Sequence, residues 1–304
     1  FQLDGRVTAS GTATANVVEG GGGGSGGSIW VTTATLSGSG TLHANGGDGA
    51  AGGGGGRIAV YYSDAAMFSG FLGSSVSGGS GGTSGEAGTI GFIDIPNNHL
   101  QIYTAFDLPV EERTLDTFSR ITVKEGAAFR LIDATTIKAD TLTVEQGARI
   151  TADGKGHAAT YGPGTGGSDW WGGGGGYGGV GATTSGGAPG GATYGSALEP
   201  EDLGSGGGNG NGSAGGDGGG AIRLIVSGAF QLDGQVTASG TATANVVEGG
   251  GGGSGGSIWV TTDTLSGSGT LHANGGDGTA GGGGGRIAVH YQDADDFPIA
   301  ESTA

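Results

Sequence analysis

Two groups of carboxylates have the residue types that could do chemistry. Asp107, Glu111, Glu112 and Asp116 lie close together in the chain, as do Glu199, Glu201 and Asp202. Paired carboxylates act as general acid and base, as in glycoside hydrolysis, when a cleft holds them at a set separation. Sequence spacing shows no cleft, and a solvated charged loop explains both groups more simply. Asp48, Asp217 and Asp277 each sit in Gly-Gly-Asp-Gly. Such oxygen-rich turns on an acidic chain give calcium a weak opening, but the tandem nonapeptides of calcium-binding β-rolls are missing. His43, His99, His157, His272 and His290 show neither H-x-x-x-H nor H-E-x-x-H spacing, which speaks against zinc chemistry. Trp170 and Trp171, with Tyr161 and Tyr177, are the candidate ligand or packing aromatics. Their rings could stack on a sugar or pack against a glycine layer, and packing is favoured. Matches to Gly-rich nucleotide fingerprints arise by chance among 80 glycines, and no G-x-x-x-x-G-K-[ST] occurs. No catalytic or cofactor-binding residue is assigned, and no metal ligand is named.

The elements that would position these residues are dominated by a long internal repeat. Phe1 to Phe68 recurs at Phe230 to Phe297, an offset of 229, and only seven aligned positions differ. These are Arg6/Gln235, Ala34/Asp263, Ala50/Thr279, Tyr61/His290, Ser63/Gln292, Ala66/Asp295 and Met67/Asp296. A repeat of this length has to be read before any local motif. Within it, short runs alternate with period two: Ile29 and Val31 in SIWV, and Ile58, Val60 and Tyr62 in RIAVYY. That is the pattern of half-buried strands. Gly-rich excursions separate the runs, and Ile29 to Ile58 spans 29 residues. Each cycle reads as one coil of a parallel β-solenoid, with a Gly-rich loop bulging from one corner. Most of the differing positions fall where side chains are expected to face out, or in loops.

This gives an all-β chain, a parallel β-solenoid or β-helix with Gly-rich loops. Residues 1–95 form the C-terminal part of a first repeat. Residues 96–119 form a junction, with Asp107 to Phe118 as an ordered loop or one helical turn. Residues 120–297 form the second repeat: plain β-helix over 120–152, a long Gly-rich tract over 153–220, and β-solenoid over 221–297. Residues 298–304 are a tail or the start of a further element. A structureless tract of this length is unusual in a compact domain. It is either disordered or folded against itself as polyglycine-II-like layers, extended helices of three residues per turn, and order is favoured. Phe1 aligns with the middle of the run Ile222 to Leu232, so the chain is expected to be a slice of a longer protein.

Charge excludes some partners. There are 28 acidic and 11 basic residues, a net charge of −17, and phosphate binding needs clustered Lys and Arg, so nucleic acid is not expected. No apolar run approaches the roughly 20 residues of a membrane span. Cysteine is missing altogether, and a secreted chain of this size folds without it.

The runs GGGGSGGSIWV, TLSGSGTLHANGGDG and GGGGGRIAVYY resemble Gly-rich modules of very large bacterial surface and adhesin-like proteins. ITVKEGAAF and LTVEQGARITADGKG resemble the β-helical lead-in of the same modules. The resemblance implies an extracellular or cell-surface setting and a structural role as stalk, matrix or self-assembling filament, without catalysis. Partners would then be other copies of the chain, as homo-oligomer or filament, and surface glycans. The alternatives are a carbohydrate-binding adhesin module and a polysaccharide-degrading β-helix enzyme.

Overall fold

A computed structural model describes residues 1–14, 20–108, 113–243, 249–295, 297 and 302–304. Glu111 and Glu112, part of the expected junction and most of the expected tail lie outside them. The described elements are all strands. In chain order they begin with β1 (Arg6–Thr8), β2 (Ser28–Gly38), β3 (Thr41–His43), β4 (Arg57–Phe68), β5 (Thr89–Asp94) and β6 (His99–Ile102). Next come β7 (Ala105–Asp107), β8 (Thr114–Leu115), β9 (Arg120–Val123), β10 (Ala128–Arg130), β11 (Ala134–Ala139) and β12 (Thr141–Val144). The last are β13 (Arg149–Thr151), β14 (Ala221–Leu232), β15 (Gln235–Thr237), β16 (Ser257–Ser266), β17 (Thr270–His272) and β18 (Arg286–Asp295). No helix of the described residues is long and apolar enough to cross a membrane.

The chain divides into two compact units, Phe1–Asp107 with Phe118–Phe129, and Leu108–Thr117 with Arg130–Ala304. In the first unit β2 pairs in parallel with β4, and β4 with β5, in register from Ile29 through Ile58 to Ile90. β5 then turns back on itself. Phe92, Ile93 and Asp94 pair antiparallel with Gln101, Leu100 and His99 of β6. The turn between them is Ile95-Pro96-Asn97-Asn98. Asp94 accepts from the Asn97 side chain at 2.7 Å, and Asn98 adopts φ 45°, a left-handed conformation that Asn tolerates. β6 returns to parallel pairing with β9, Leu100 beside Ile121. The core under these strands is Ile58, Val60, Ile90 and Phe92, closed by Phe71 packed between Phe92 at 4.9 Å and Tyr103 at 4.8 Å.

In the second unit β14 is the central strand. One edge takes β11 along Ala221 to Val226 and β12 along Phe230 to Leu232, and the other edge takes β16. β16 pairs with β18, and β11 also pairs with β8. The branch follows from Ser227-Gly228, where the register shifts and one long strand behaves as two. β13, β15 and β17 belong to a separate five-stranded sheet, with Ile150, Val236 and Leu271 in register.

This order corrects the sequence expectation. A uniform parallel β-solenoid stacks one strand per coil on the strand before it. Among the described residues the strands fall into three sheets, β5 and β6 pair antiparallel, and β14 carries two strands on one edge. The architecture is all-β with mixed strand order. The resemblance to Gly-rich β-helical modules, and the tandem-repeat, β-solenoid and adhesin description built on it, fails on the same pairings. So does the reading of the chain as a segment of a structural stalk, matrix or filament. Each unit closes its own core by tertiary packing, which a simple extended repeat does not do.

The glycine stretches are not loops bulging from a corner. In the first unit the N–H groups of Gly46, Gly49, Gly52 and Gly55 donate to the carbonyls of Ser77, Ser80, Thr83 and Glu86 at 2.8–3.0 Å. The step of three residues is the repeat of extended polyproline-II geometry. Other bonds run within the layer, such as Gly47 to Gly24 and Gly79 to Gly53, both 2.8 Å. In the second unit residues 153–220 pack against the glycines of 249–256 and 275–285. Gly175 donates to Gly252 and Gly251 to Gly208, both at 2.9 Å. Backbones approach this closely only without Cβ atoms: one added to Gly251 would stand 1.9 Å from the Gly173 carbonyl oxygen. Buried backbone groups are thereby satisfied by each other rather than by water.

Candidate functional site

The four aromatics singled out in the sequence separate into two kinds. Tyr177 is fully buried, with its ring 4.8 Å from Tyr194 and under the Arg286 guanidinium at 5.4 Å. Its hydroxyl donates to Ser257 Oγ at 2.7 Å, and Ser257 donates on to the Asp202 carbonyl at 2.6 Å. Burial raises the Tyr177 phenol above its ordinary pKa and pushes that of Tyr194 up to about 12. Arg286 also donates to the Tyr194 carbonyl at 2.9 Å. This cluster packs the glycine-rich tract onto β16 and β18. Trp171 is half-buried beside Gly186, with its indole N–H buried and unpaired. Trp170 and Tyr161 are exposed. The structure therefore does not gather the four rings into one ligand platform.

The polar candidates also find local partners. His43 bonds Thr41 Oγ1 and Ser75 Oγ, both at 2.7 Å, and His272 makes the equivalent bonds to Thr270 and Thr303 at 2.8 Å. His99 bonds Thr122 Oγ1 at 2.8 Å. Desolvation, aided by Arg120 and opposed by Asp94, brings its pKa down to about 4. Asp48 accepts from the Ser80 N–H at 2.6 Å and Asp217 from the Ala159 N–H at 2.8 Å, so both cap backbone. Glu201 pairs with Arg223 at 2.8 Å. Among the described residues no three His, Asp or Glu side chains converge as a metal site. A hollow of about 410 Å³ in the first unit is lined by Tyr62, Asp64, Asp94, Gln101 and Tyr103. Its polar groups serve one another: Gln101 donates to Tyr62 and accepts from Tyr103, both at 2.8 Å.

The two copies of the repeat differ at the outer edge of β2. Among the described residues β2 has β4 on one side and ends its sheet on the other. The first residues of the sequence cover its C-terminal part: Gln2 bridges Ser37, and the Phe1 ammonium donates to the Thr35 carbonyl at 2.7 Å and to Thr33 Oγ1 at 3.2 Å. Among the described residues no strand lies beside Ser28 to Ala34; in the second unit that place belongs to the residues of β14 that precede Phe230, the counterpart of Phe1. On β16, the counterpart of β2, Ser257 through Thr262 lie in register against Ala221 through Val226 of β14. There the Ser257 N–H donates to the Gly220 carbonyl at 3.0 Å, while the Gly256 carbonyl accepts from Arg286 on the opposite side at 2.9 Å. The first unit repeats the inner half of this pattern, with the Gly27 carbonyl accepting from Arg57 at 2.9 Å. Ser28, Trp30 and Thr32 consequently direct their backbone groups to the open side.

Side chains record the same contrast. Trp259 is 7% exposed and Trp30 is 76% exposed. The Arg223 guanidinium lies 4.0 Å above the Trp259 ring, and His290 meets it edge-on at 6.1 Å. Trp30 has the Tyr61 ring stacked at 5.8 Å and nothing equivalent to Arg223. Val236 is fully buried between β13 and β17, whereas Val7 of β1, which among the described residues pairs with β3 alone, is 37% exposed. Sequence reasoning passed over Trp30. The available signal was the duplication itself, which places an identical SIWV segment in two surroundings.

Comparison with known protein families, curated proteins and solved structures finds no match. The resemblance to bacterial surface modules has no support from that direction either.

Proposed function

We propose that the chain is a non-catalytic interaction module whose acidic surface takes a partner that carries positive charge. The observation that supports this is the excess of 28 acidic over 11 basic residues, a net charge of −17, which steers a basic partner toward the chain. The polar candidates for chemistry are engaged by local partners: His43, His99 and His272 bond neighbouring hydroxyls, Asp48 and Asp217 accept from backbone N–H groups, and Glu201 pairs with Arg223. The excess of acidic residues also suits an extracellular setting, where net charge keeps a chain soluble.

Basic and acidic peptides of matched length, titrated onto the intact chain at low and high salt, test the proposal. Basic peptides are expected to bind and to weaken as salt rises, because exposed charges are screened. Equal binding of acidic and basic peptides, or binding that ignores salt, would refute it.

A further inference from the structure

We infer that Asn211 is a site of spontaneous modification, where the chain converts its own side-chain amide to a carboxylate through attack by the Gly212 nitrogen. The sequence holds four Asn-Gly pairs, Asn45-Gly46, Asn209-Gly210, Asn211-Gly212 and Asn274-Gly275. The chemistry needs a side-chain amide free to swing onto its own backbone, and a following N–H that no acceptor holds. Glycine at the second place leaves the approach unobstructed, because it has no Cβ. The Gly212 nitrogen gives up its proton to water or hydroxide and bonds to Asn211 Cγ. Asn211 Nδ2 takes up a proton and leaves as ammonia, and a five-membered imide remains. Water then opens the ring. Cleavage of the Cγ–N bond gives aspartate, and cleavage between that nitrogen and the Asn211 backbone carbonyl carbon gives isoaspartate. Water is consumed, ammonia is released, and nothing is oxidised or reduced.

The fold separates the pairs. Asn45 Oδ1 accepts from Ser75 Oγ at 2.9 Å and from the Ser77 N–H at 2.8 Å, and the Gly46 N–H donates to the Ser77 carbonyl at 2.8 Å. Amide and nucleophile are both held there. Asn209 Oδ1 accepts from the Gly215 N–H at 3.0 Å, and the Gly210 N–H donates to the Ser213 carbonyl at 2.9 Å. Asn211 and Gly212 are the exposed tip of the tight turn that this last bond closes, where Gly210 and Ser213 bridge antiparallel. Gly212 takes φ 74°, the positive value that glycine provides at this place of a turn. Among the described residues neither the Asn211 side chain nor the Gly212 N–H has a hydrogen-bond partner, and a Cβ at Gly212 would meet nothing within 4 Å. Amide and nucleophile are therefore adjacent, unengaged and open to water. Asn274, the counterpart of Asn45, follows a strand that bridges Thr303 near the end of the sequence, and takes no part in the contrast. Conversion of Asn211 adds one negative charge to a chain already at −17, and it stands whether or not that surface takes a basic partner.

The test incubates the intact chain at mildly alkaline pH in water enriched in heavy oxygen, and follows residues 45, 209 and 211 by peptide mass spectrometry. Residue 211 is expected to convert at least about ten-fold faster than residues 45 and 209, where bonded groups must first be released. It is expected to take its new oxygen from the solvent and to yield aspartate and isoaspartate together. In concentrated urea the three pairs are expected to convert at similar rates, because the protection of Asn45 and Asn209 comes from the fold. Asn211→Gln, whose longer side chain has to close a larger ring, is expected to remain an amide and to keep the parent's melting temperature. A native chain in which residue 45 or 209 keeps pace with residue 211 would overturn the inference. So would one in which residue 211 converts in urea and not in the fold, since the turn would then hold the amide away from Gly212. Aspartate without isoaspartate would mean direct hydrolysis by water and would remove Gly212 from the step.

Discussion

Two stretches of nearly identical sequence meet opposite fates in this protein. β16 is sandwiched between β14 and β18 and buries Trp259, while β2 keeps one flank bare and exposes Trp30. At their other ends the contrast reverses. β4 is covered by β5 and buries Tyr62, whereas its counterpart β18 ends its sheet and leaves Tyr291 exposed. None of the seven substitutions accounts for this, since the residues whose burial changes most are the same in both copies. Burial here is conferred by the neighbouring strand, not by the strand's own composition.

The largest effect expected from that contrast is at the paired tryptophans. Trp259→Ala removes a buried ring that Arg223 and His290 contact, and should cost about 3–5 kcal/mol. Trp30→Ala removes an exposed one and should stay within about 0.5 kcal/mol. Urea unfolding of the two variants beside the parent measures both. Equal costs would mean that Trp30 is covered in solution.

A second contrast separates glycines that are needed for close approach from those that are not. Gly251→Ala would drive a Cβ into the Gly173 carbonyl and should destabilise by about 1–3 kcal/mol. Gly281 has open space around its Cβ position and no left-handed φ, so Gly281→Ala should be neutral or stabilising by up to about 1 kcal/mol. Thermal melts distinguish the two. Similar losses at both sites would argue that the glycine stretches pack differently from the layers described.

How much of this was legible follows from which interactions carry a side-chain signature. Ile58, Val60 and Tyr62 alternate and are buried, because a half-buried strand writes its period into the sequence. The antiparallel return at β5 and β6 was also written there, as Ile95-Pro96-Asn97-Asn98, but it was overlooked in favour of regular coils. The branch at β14 was not legible. It depends on which of two short strands reaches each half of a twelve-residue strand. Nor were the partners of residues 153–220, because glycines bonded backbone to backbone leave no pattern of side chains to read. The aromatic candidates were identified by type, yet Tyr177 and Trp170 differ only in what lies over them.

Acid should also tell the units apart. His99, in the first unit, has its pKa lowered to about 4 by desolvation and by Arg120, against Asp94. A histidine held neutral in the fold contributes full stability above its unfolded value of 6.5. As pH falls from there toward 4 the unfolded chain takes up the proton first, so stability declines across that window and levels off below it. His99→Gln keeps a polar side chain near Thr122 and should flatten the decline. Hydrogen exchange in β6 and β9, followed between pH 7 and 4, would show it, and an unchanged slope would place the acid sensitivity in another group.

The smallest expected effect is the most direct check on the opening contrast. Arg6→Gln and Ala34→Asp convert exposed positions of the first copy to the residues of the second. Each should change stability by less than about 0.5 kcal/mol, because neither side chain touches a core. Neither should protect the Trp30 indole from a soluble quencher. If the converted chain did bury Trp30, the bare edge of β2 would be a property of its own sequence. The equivalence with β16 would then be lost. An unchanged quenching constant leaves the missing neighbour as the whole difference between the two tryptophans.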